Sequence, residues 1–213
     1  MESNQIIKIV VIGPESTGKS TLSEQLADHY HTSWCPEYAR EYLLKHGTSY
    51  SYDDLLTIAQ GQIKLEEKHE GEVRKSESPK DGKILPGATD FRTSGLPEFQ
   101  SSGLRDFRTS RLLFIDTDMY VMKVWCDFVY GKCHQYILDE IKNRKYDLYL
   151  LCNVDLPWVK DELREYPDLE TREKLYRIYK DLMTHQSVPW VDISGNYEER
   201  LQKAIAAVDA LVK

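Results

Sequence analysis

Long apolar runs, an excess of basic charge and closely paired cysteines are all missing from this 213-residue chain, and each absence removes a class of function. No stretch approaches the roughly 18 consecutive apolar residues of a membrane-spanning helix, so no membrane partner is expected. The opening MESNQ has neither a charged leader nor an apolar core; no secretory signal is expected, and the cytoplasm is the expected compartment. The net charge of −7 and a pI near 5.4 argue against a nucleic-acid partner, which would ask for a basic face. Cys35, Cys126, Cys133 and Cys152 are scattered with no C-x-x-C, so buried free thiols are expected rather than a zinc site. None of the 6 histidines sits in a recognisable hydrolase triad context. What remains is 41% hydrophobic and 11% aromatic, the makeup of a globular protein long enough to bury one substantial core.

The most telling stretch present is IIKIVVIGPESTGKSTLSEQLADHY, residues 6–30. A β-branched run from Ile6 to Ile12 enters a loop of the form G-x-x-x-x-G-K-[ST], and a helical pattern with Leu22 and Leu26 follows. Strand, glycine loop and helix are the context of a phosphate-binding P-loop. Gly13 and Gly18 let the backbone N–H groups turn inward, and the helix N-terminus adds partial positive charge. Pro14, Glu15, Ser16, Thr17 and Thr21 complete the expected ATP-binding loop. Lys19 is expected to reach the β- and γ-phosphates, and Ser20 to offer its hydroxyl to Mg²⁺.

Further strands are expected at 32–38, 111–116, 146–152 and 188–193, with helices around Leu55–Ile63, Ile137–Ile141 and Tyr197–Val212. The apolar stretch 121–130 has no readable period. Strands separated by helices imply a three-layer α/β/α sandwich on about five parallel strands, with ligands bound beyond the strand C-termini. Residues 76–109 break the pattern; DFRTSGL at 90–96 returns as DFRTSRL at 106–112, and a long insertion in a single P-loop domain is expected there.

Acids at strand ends are the candidates for chemistry. RLLFIDTD places Asp116 to hold Mg²⁺ with Ser20 and to face the substrate; Asp118 is either a second catalytic acid or the N-cap of the next helix. In CPEYARE, Glu37 is either a proton acceptor for a substrate hydroxyl or an acid at a helix start, with Tyr38 and Arg40 beside it on the acceptor side. The segment 155–172 is expected as a lid carrying Arg164 and Arg172 onto the phosphates, the alternative being a surface helix. Trp34, Trp125, Trp158 and Tyr120 are candidates to stack an aromatic ring.

In order, GPESTGKS at 13–20, EYARE at 37–41, FIDTD at 114–118 and WVKDELR at 158–164 resemble the ribosylnicotinamide kinase domain of NadR-type proteins, within the P-loop kinase superfamily. The lid departs from the family's W-V-D-D-G-L-R at Lys160 and Glu162. The resemblance implies ATP-dependent 5′-phosphorylation of nicotinamide riboside to nicotinamide mononucleotide. By analogy with related kinases, the loop at Gly195 and Asn196 would touch adenine. Such proteins often carry an adenylyltransferase domain and a helix-turn-helix as well; neither is expected in this chain, which starts at the first P-loop strand. A kinase for another small metabolite and a nucleotide-dependent switch are the rival expectations.

Overall fold

The computed structural model describes residues 5–76, 111–160, 162–163 and 165–213. The expected insertion at 76–109 lies outside them except for Ser76, and Arg164 lies outside them too. The chain runs β1 (Ile7–Ile12), α1 (Lys19–Tyr30), β2 (Ser33–Cys35), α2 (Tyr38–His46), α3 (Tyr52–Ser76), β3 (Leu112–Asp116), α4 (Met119–Tyr130), α5 (Gln135–Asn143), β4 (Leu148–Cys152), α6 (Leu169–His185), β5 (Trp190–Ile193) and α7 (Tyr197–Val212).

All five strands are parallel, in the order β2-β3-β1-β4-β5. A central parallel strand is buried on both faces and so reads as a continuous apolar run; β1 obeys this, with Ile9 to Ile12 fully buried. Alternate side chains feed two cores. Val10, Ile12, Leu113, Ile115 and Leu151 pack with α4 and α6 on one face. Ile9, Val11, Phe114, Leu150 and Cys152 pack with α1 and α7 on the other. The expected three-layer sandwich is therefore present. A third cluster is built from α2, α3, α4 and α5.

Element ends differ from expectation for local reasons. The strand expected at 32–38 stops at Cys35, because Pro36 has no N–H to continue the ladder, and Tyr38 already belongs to α2. The stretch 121–130 is helical: Val121 and Val124 face the sheet while Met122 and Cys126 enter the third cluster, so two buried faces erase the period. Within the segment expected as a lid at 155–172, residues from Leu169 on are helical. The Asp168 side chain accepts from Thr171 N at 2.7 Å and starts α6, which puts Arg172 in a helix. On α7, Arg200, Ala204 and Val208 are fully buried; Leu201, Ile205 and Val212 of the expected stripe pack against the same core, while Tyr197 is exposed.

The neighbours of β1 lie on opposite sides of it, and the connections leaving β1 and β3 open a crevice at their C-terminal ends. Among the described residues no helix is long and apolar enough to cross a membrane.

Candidate functional site

The loop between β1 and α1 is shaped by two glycines that no other residue replaces easily. Gly13 has φ 141°, and a Cβ there would lie 2.7 Å from the Cys152 carbonyl. Gly18 has φ 78° and stands at the N-cap of α1. Within the loop, Thr17 Oγ1 donates to Pro14 O at 2.7 Å, and Lys19 Nζ donates to the same carbonyl at 3.0 Å. Gly13 through Thr21 line one wall of a cavity of about 330 Å³.

The rest of the lining comes from the strand ends and helices. Glu37, the N-cap residue of α2, and Arg40 in its first turn reach the cavity just after β2, Asp116 at the end of β3, and Trp34, Trp125 and Phe128 supply aromatic surface. Tyr166, Leu175 and Tyr179 close the cavity from the segment after β4 and from α6.

Ser20 Oγ donates to Asp116 Oδ2 at 2.5 Å, so the two groups expected to flank Mg²⁺ stand together. Two hard oxygen donors at the mouth of a phosphate-binding loop suit that ion, which is held by one or two carboxylates plus substrate phosphates. Asp116 is fully buried. Burial raises its carboxyl above the usual range, and the nearby Glu37 charge adds to the rise; Lys19 and the Ser20 hydroxyl pull the other way. Between the two acids sits Thr117. Its Oγ1 lies 3.5 Å from Glu37 Oε1 and 3.4 Å from Asp116 Oδ1, with φ 77°, a left-handed conformation that is strained for a β-branched residue.

Five candidates stand apart from the catalytic or binding roles expected of them, and for Asp118 the structure takes the capping alternative. Asp118 is buried outside the cavity lining and caps α4: Oδ1 accepts from Tyr120 N at 2.9 Å and Val121 N at 3.4 Å, and Oδ2 from the Tyr149 hydroxyl at 2.8 Å. Burial nonetheless pushes its carboxyl up to about 7, against those three donors. The Tyr38 ring packs on α3, where a Cβ at Gly61 would overlap it, and is not part of the cavity lining. Trp158 and Tyr120 also lie outside that lining. Arg172 is buried, and its Nη2 donates to Ser16 O at 3.3 Å and Leu156 O at 3.4 Å, so it braces the loop backbone.

The loop side chains Glu15 and Ser16 are turned to the segment after β4. Glu15 accepts from Glu165 N at 2.9 Å and from Tyr166 N, and Ser16 Oγ accepts from Val159 N at 3.1 Å. Gly195 and Asn196 lie outside the cavity lining; Asn196 forms the capping box of α7 with Glu199, and Gly195 N donates to Asp155 Oδ2 at 2.5 Å.

Arg200 is a residue that sequence reasoning passed over. It is 2% exposed and donates to Gly195 O, Thr17 O and Asn153 O, each at 2.8 Å, and to the Asp155 carboxylate. One guanidinium thus ties the P-loop to the ends of β4 and β5. An arginine in step with Ala204 and Val208 on an apolar face was the available signal. Three of the thiols are buried and Cys133 is half-buried; burial pushes Cys126 and Cys152 up to about 12 and so disfavours their thiolate forms.

The arrangement can cradle a polyphosphate on backbone N–H groups, set a carboxylate and hydroxyl beside it, and offer aromatic surface to a second molecule in the same cavity. Comparisons with known proteins agree with that reading of the fold. The chain is 22% identical over 205 residues to the trifunctional NAD biosynthesis/regulator protein NadR of Escherichia coli (strain K12), covering 94% of this chain and 41% of that one. To the protein of the same name from Salmonella typhimurium (strain LT2) it is 22% identical over 209 residues, covering 96% and 42%. The chain therefore spans about two-fifths of the length of these curated relatives. Among solved structures, a NadR protein in complex with NR matches with a TM-score of 0.67 at 19% identity, over 97% of this chain and 50% of that one. A thymidylate kinase from Ehrlichia chaffeensis matches with a TM-score of 0.57 at 11% identity, over 96% and 99%. These structural likenesses show a shared fold. The resemblance to NadR-type proteins read from the four motifs is borne out, and with a match over residues 8–85 and 72–200 the chain belongs to the AAA domain family AAA_28.

Proposed function

We propose that this chain is an ATP- and Mg²⁺-dependent nucleoside kinase that phosphorylates the 5′-hydroxyl of nicotinamide riboside to give nicotinamide mononucleotide. The observation that carries the reading is the convergence of the P-loop, Asp116, Glu37, Arg40 and an aromatic wall on one cavity of about 330 Å³. A phosphate-binding loop alone would serve a switch; an acid and an aromatic surface in the same cavity are what an acceptor needs. The similarity to NadR proteins, one of them solved with NR, supports nicotinamide riboside as that acceptor.

In this reading the loop N–H groups and Lys19 hold the β- and γ-phosphates. Ser20 and Asp116 would hold Mg²⁺, which when bound neutralises charge on the phosphate oxygens. Glu37 accepts the proton of the 5′-hydroxyl as its oxygen bonds to the γ-phosphorus, and the bond from that phosphorus to the β–γ bridging oxygen breaks to release ADP. Glu37 is preferred to Asp118 as base because it lines the cavity, whereas both Asp118 oxygens serve the α4 cap and Tyr149. Arg40, at the cavity edge, meets charge on the acceptor side.

The test is a phosphorylation screen with Mg·ATP over nicotinamide riboside, common ribonucleosides, deoxyadenosine and thymidylate. Nicotinamide mononucleotide and ADP in equal amounts are expected. Faster transfer to another acceptor overturns the choice of nicotinamide riboside. No transfer to any acceptor overturns the kinase reading.

A further inference from the structure

Tyr50 lies in the turn before α3, outside every sequence motif, yet it touches both halves of the site. The Trp125 indole Nε1 on the aromatic wall donates to the Tyr50 hydroxyl at 2.8 Å, and the two rings meet edge-on at 4.9 Å. The Tyr50 hydroxyl donates to Glu165 Oε2 at 3.0 Å. The backbone N–H of Glu165 in turn donates to the Glu15 carboxylate of the P-loop at 2.9 Å. The turn itself is held independently, because the Tyr130 hydroxyl donates to Tyr50 O at 2.9 Å. Three hydrogen bonds, joined covalently between the Glu165 side chain and its backbone, thus link the aromatic side of the cavity, through one phenol, to the nucleotide loop.

The phenol suits this place chemically. An indole N–H can only donate, and a carboxylate can only accept, so a group between them must do both. A tyrosine hydroxyl does so as long as it stays protonated, and burial raises Tyr50 well above its ordinary range. Glu165 is likewise raised by burial and lowered again by the Tyr50 hydroxyl.

We infer that Tyr50 is a positioning residue that couples acceptor binding to nucleotide binding through the Trp125–Tyr50–Glu165–Glu15 chain. The inference rests on the kinase reading for its two ligands. A nucleoside seated against Trp125 fixes the indole, the fixed indole holds the Tyr50 hydroxyl, and the hydroxyl holds Glu165 where its N–H meets Glu15. Each ligand therefore finds the other's half of the site already ordered, and each binds more tightly in the presence of the other.

Tyr50→Phe removes one oxygen and keeps the ring contact. Binding of a non-hydrolysable ATP analogue with Mg²⁺ is measured with and without nicotinamide riboside. In the unaltered protein each ligand is expected to tighten the other by about fivefold or more. In Tyr50→Phe that factor is expected to fall towards one, a loss larger than any fall in affinity for the analogue alone. Glu165→Ala is expected to give the same loss, and the double variant no further loss. Coupling of undiminished size in Tyr50→Phe, or strictly additive losses, overturns the inference. A readout without ligand separates this from failure of the kinase reading. Amide exchange at Glu165 and Tyr166 is expected to quicken in Tyr50→Phe; unchanged exchange overturns the relay even where no nucleoside is phosphorylated, and quickened exchange upholds its lid half.

Discussion

At the scale of single residues, Glu37 and Asp118 show how position decides the use of a carboxylate. Glu37 faces the cavity as the N-cap residue of α2 without capping through its side chain. Asp118 is consumed by two backbone N–H groups and a phenol. Glu37→Gln keeps the shape and removes the proton acceptor; kcat is expected to fall by roughly 10²-fold, with ATP affinity little changed. Asp118→Ala is expected to act through stability, lowering it by about 1–2 kcal/mol through the lost cap. Denaturant titration beside steady-state kinetics tells them apart, and a stable but inactive Asp118→Ala protein would return the role of base to Asp118. Thr117 makes the complementary case. A β-branched residue at φ 77° costs of order 1–3 kcal/mol, and its hydroxyl lies between the two cavity acids. Thr117→Gly is expected to lower kcat about tenfold with no loss of melting temperature, since relief of strain offsets the lost side chain. A large drop in melting temperature would mean the strain is not stored there.

At the scale of elements, the ends of helices carry much of the placement. The start of α3 is fastened by Asp54, which accepts from the Tyr42 hydroxyl at 2.6 Å and from Ser51 N and Oγ at 2.7 Å each. The Tyr42 hydroxyl above all, then Ser51, holds the Asp54 carboxyl down at about 2. A carboxyl lowered in the folded state contributes stability that is present above its ordinary value of 3.8 and is lost as the pH falls through about 2. The difference in melting temperature between the unaltered protein and Asp54→Asn is therefore expected to be level above about pH 5 and to close on acidification. A difference that holds steady down to about pH 2 would rule out the charge as its source. The same turn brings Tyr50 to Trp125, so the helix start also positions the partner of a cavity-lining residue.

At the scale of the whole molecule, the nucleotide side is held by contacts that cross the sheet. Arg200 on α7 joins the P-loop to the loops after β4 and β5 through four acceptors. Arg200→Met leaves the Asp155 carboxylate and three carbonyls without their donor, a loss expected to cost about 3–5 kcal/mol. ATP affinity is expected to fall with it, measured by calorimetry under conditions where the variant remains folded. Full ATP affinity in the variant would show that the loop keeps its shape without the clamp.

What the sequence determined by itself is what short stretches of chain can encode. The β-branched run, the two glycines and the helix of residues 6–30 specify strand, phosphate loop and helix, because each is a matter of adjacent residues and backbone sterics. The alternation of strands with helices likewise specified the layered parallel sheet, and the acid ending β3 marked the place beside Ser20. Tertiary structure alone decided the direction of side chains whose partners lie far along the chain. Glu15 meets a backbone N–H 150 residues away, and Arg200 reaches a carbonyl 183 residues away. It also decided that Asp118 turns to Tyr149 and that Arg172 belongs to a helix rather than a lid. The physical reason is that a polar side chain taken out of water must find a partner, and which partner is within reach depends on how the layers pack, not on its neighbours in sequence.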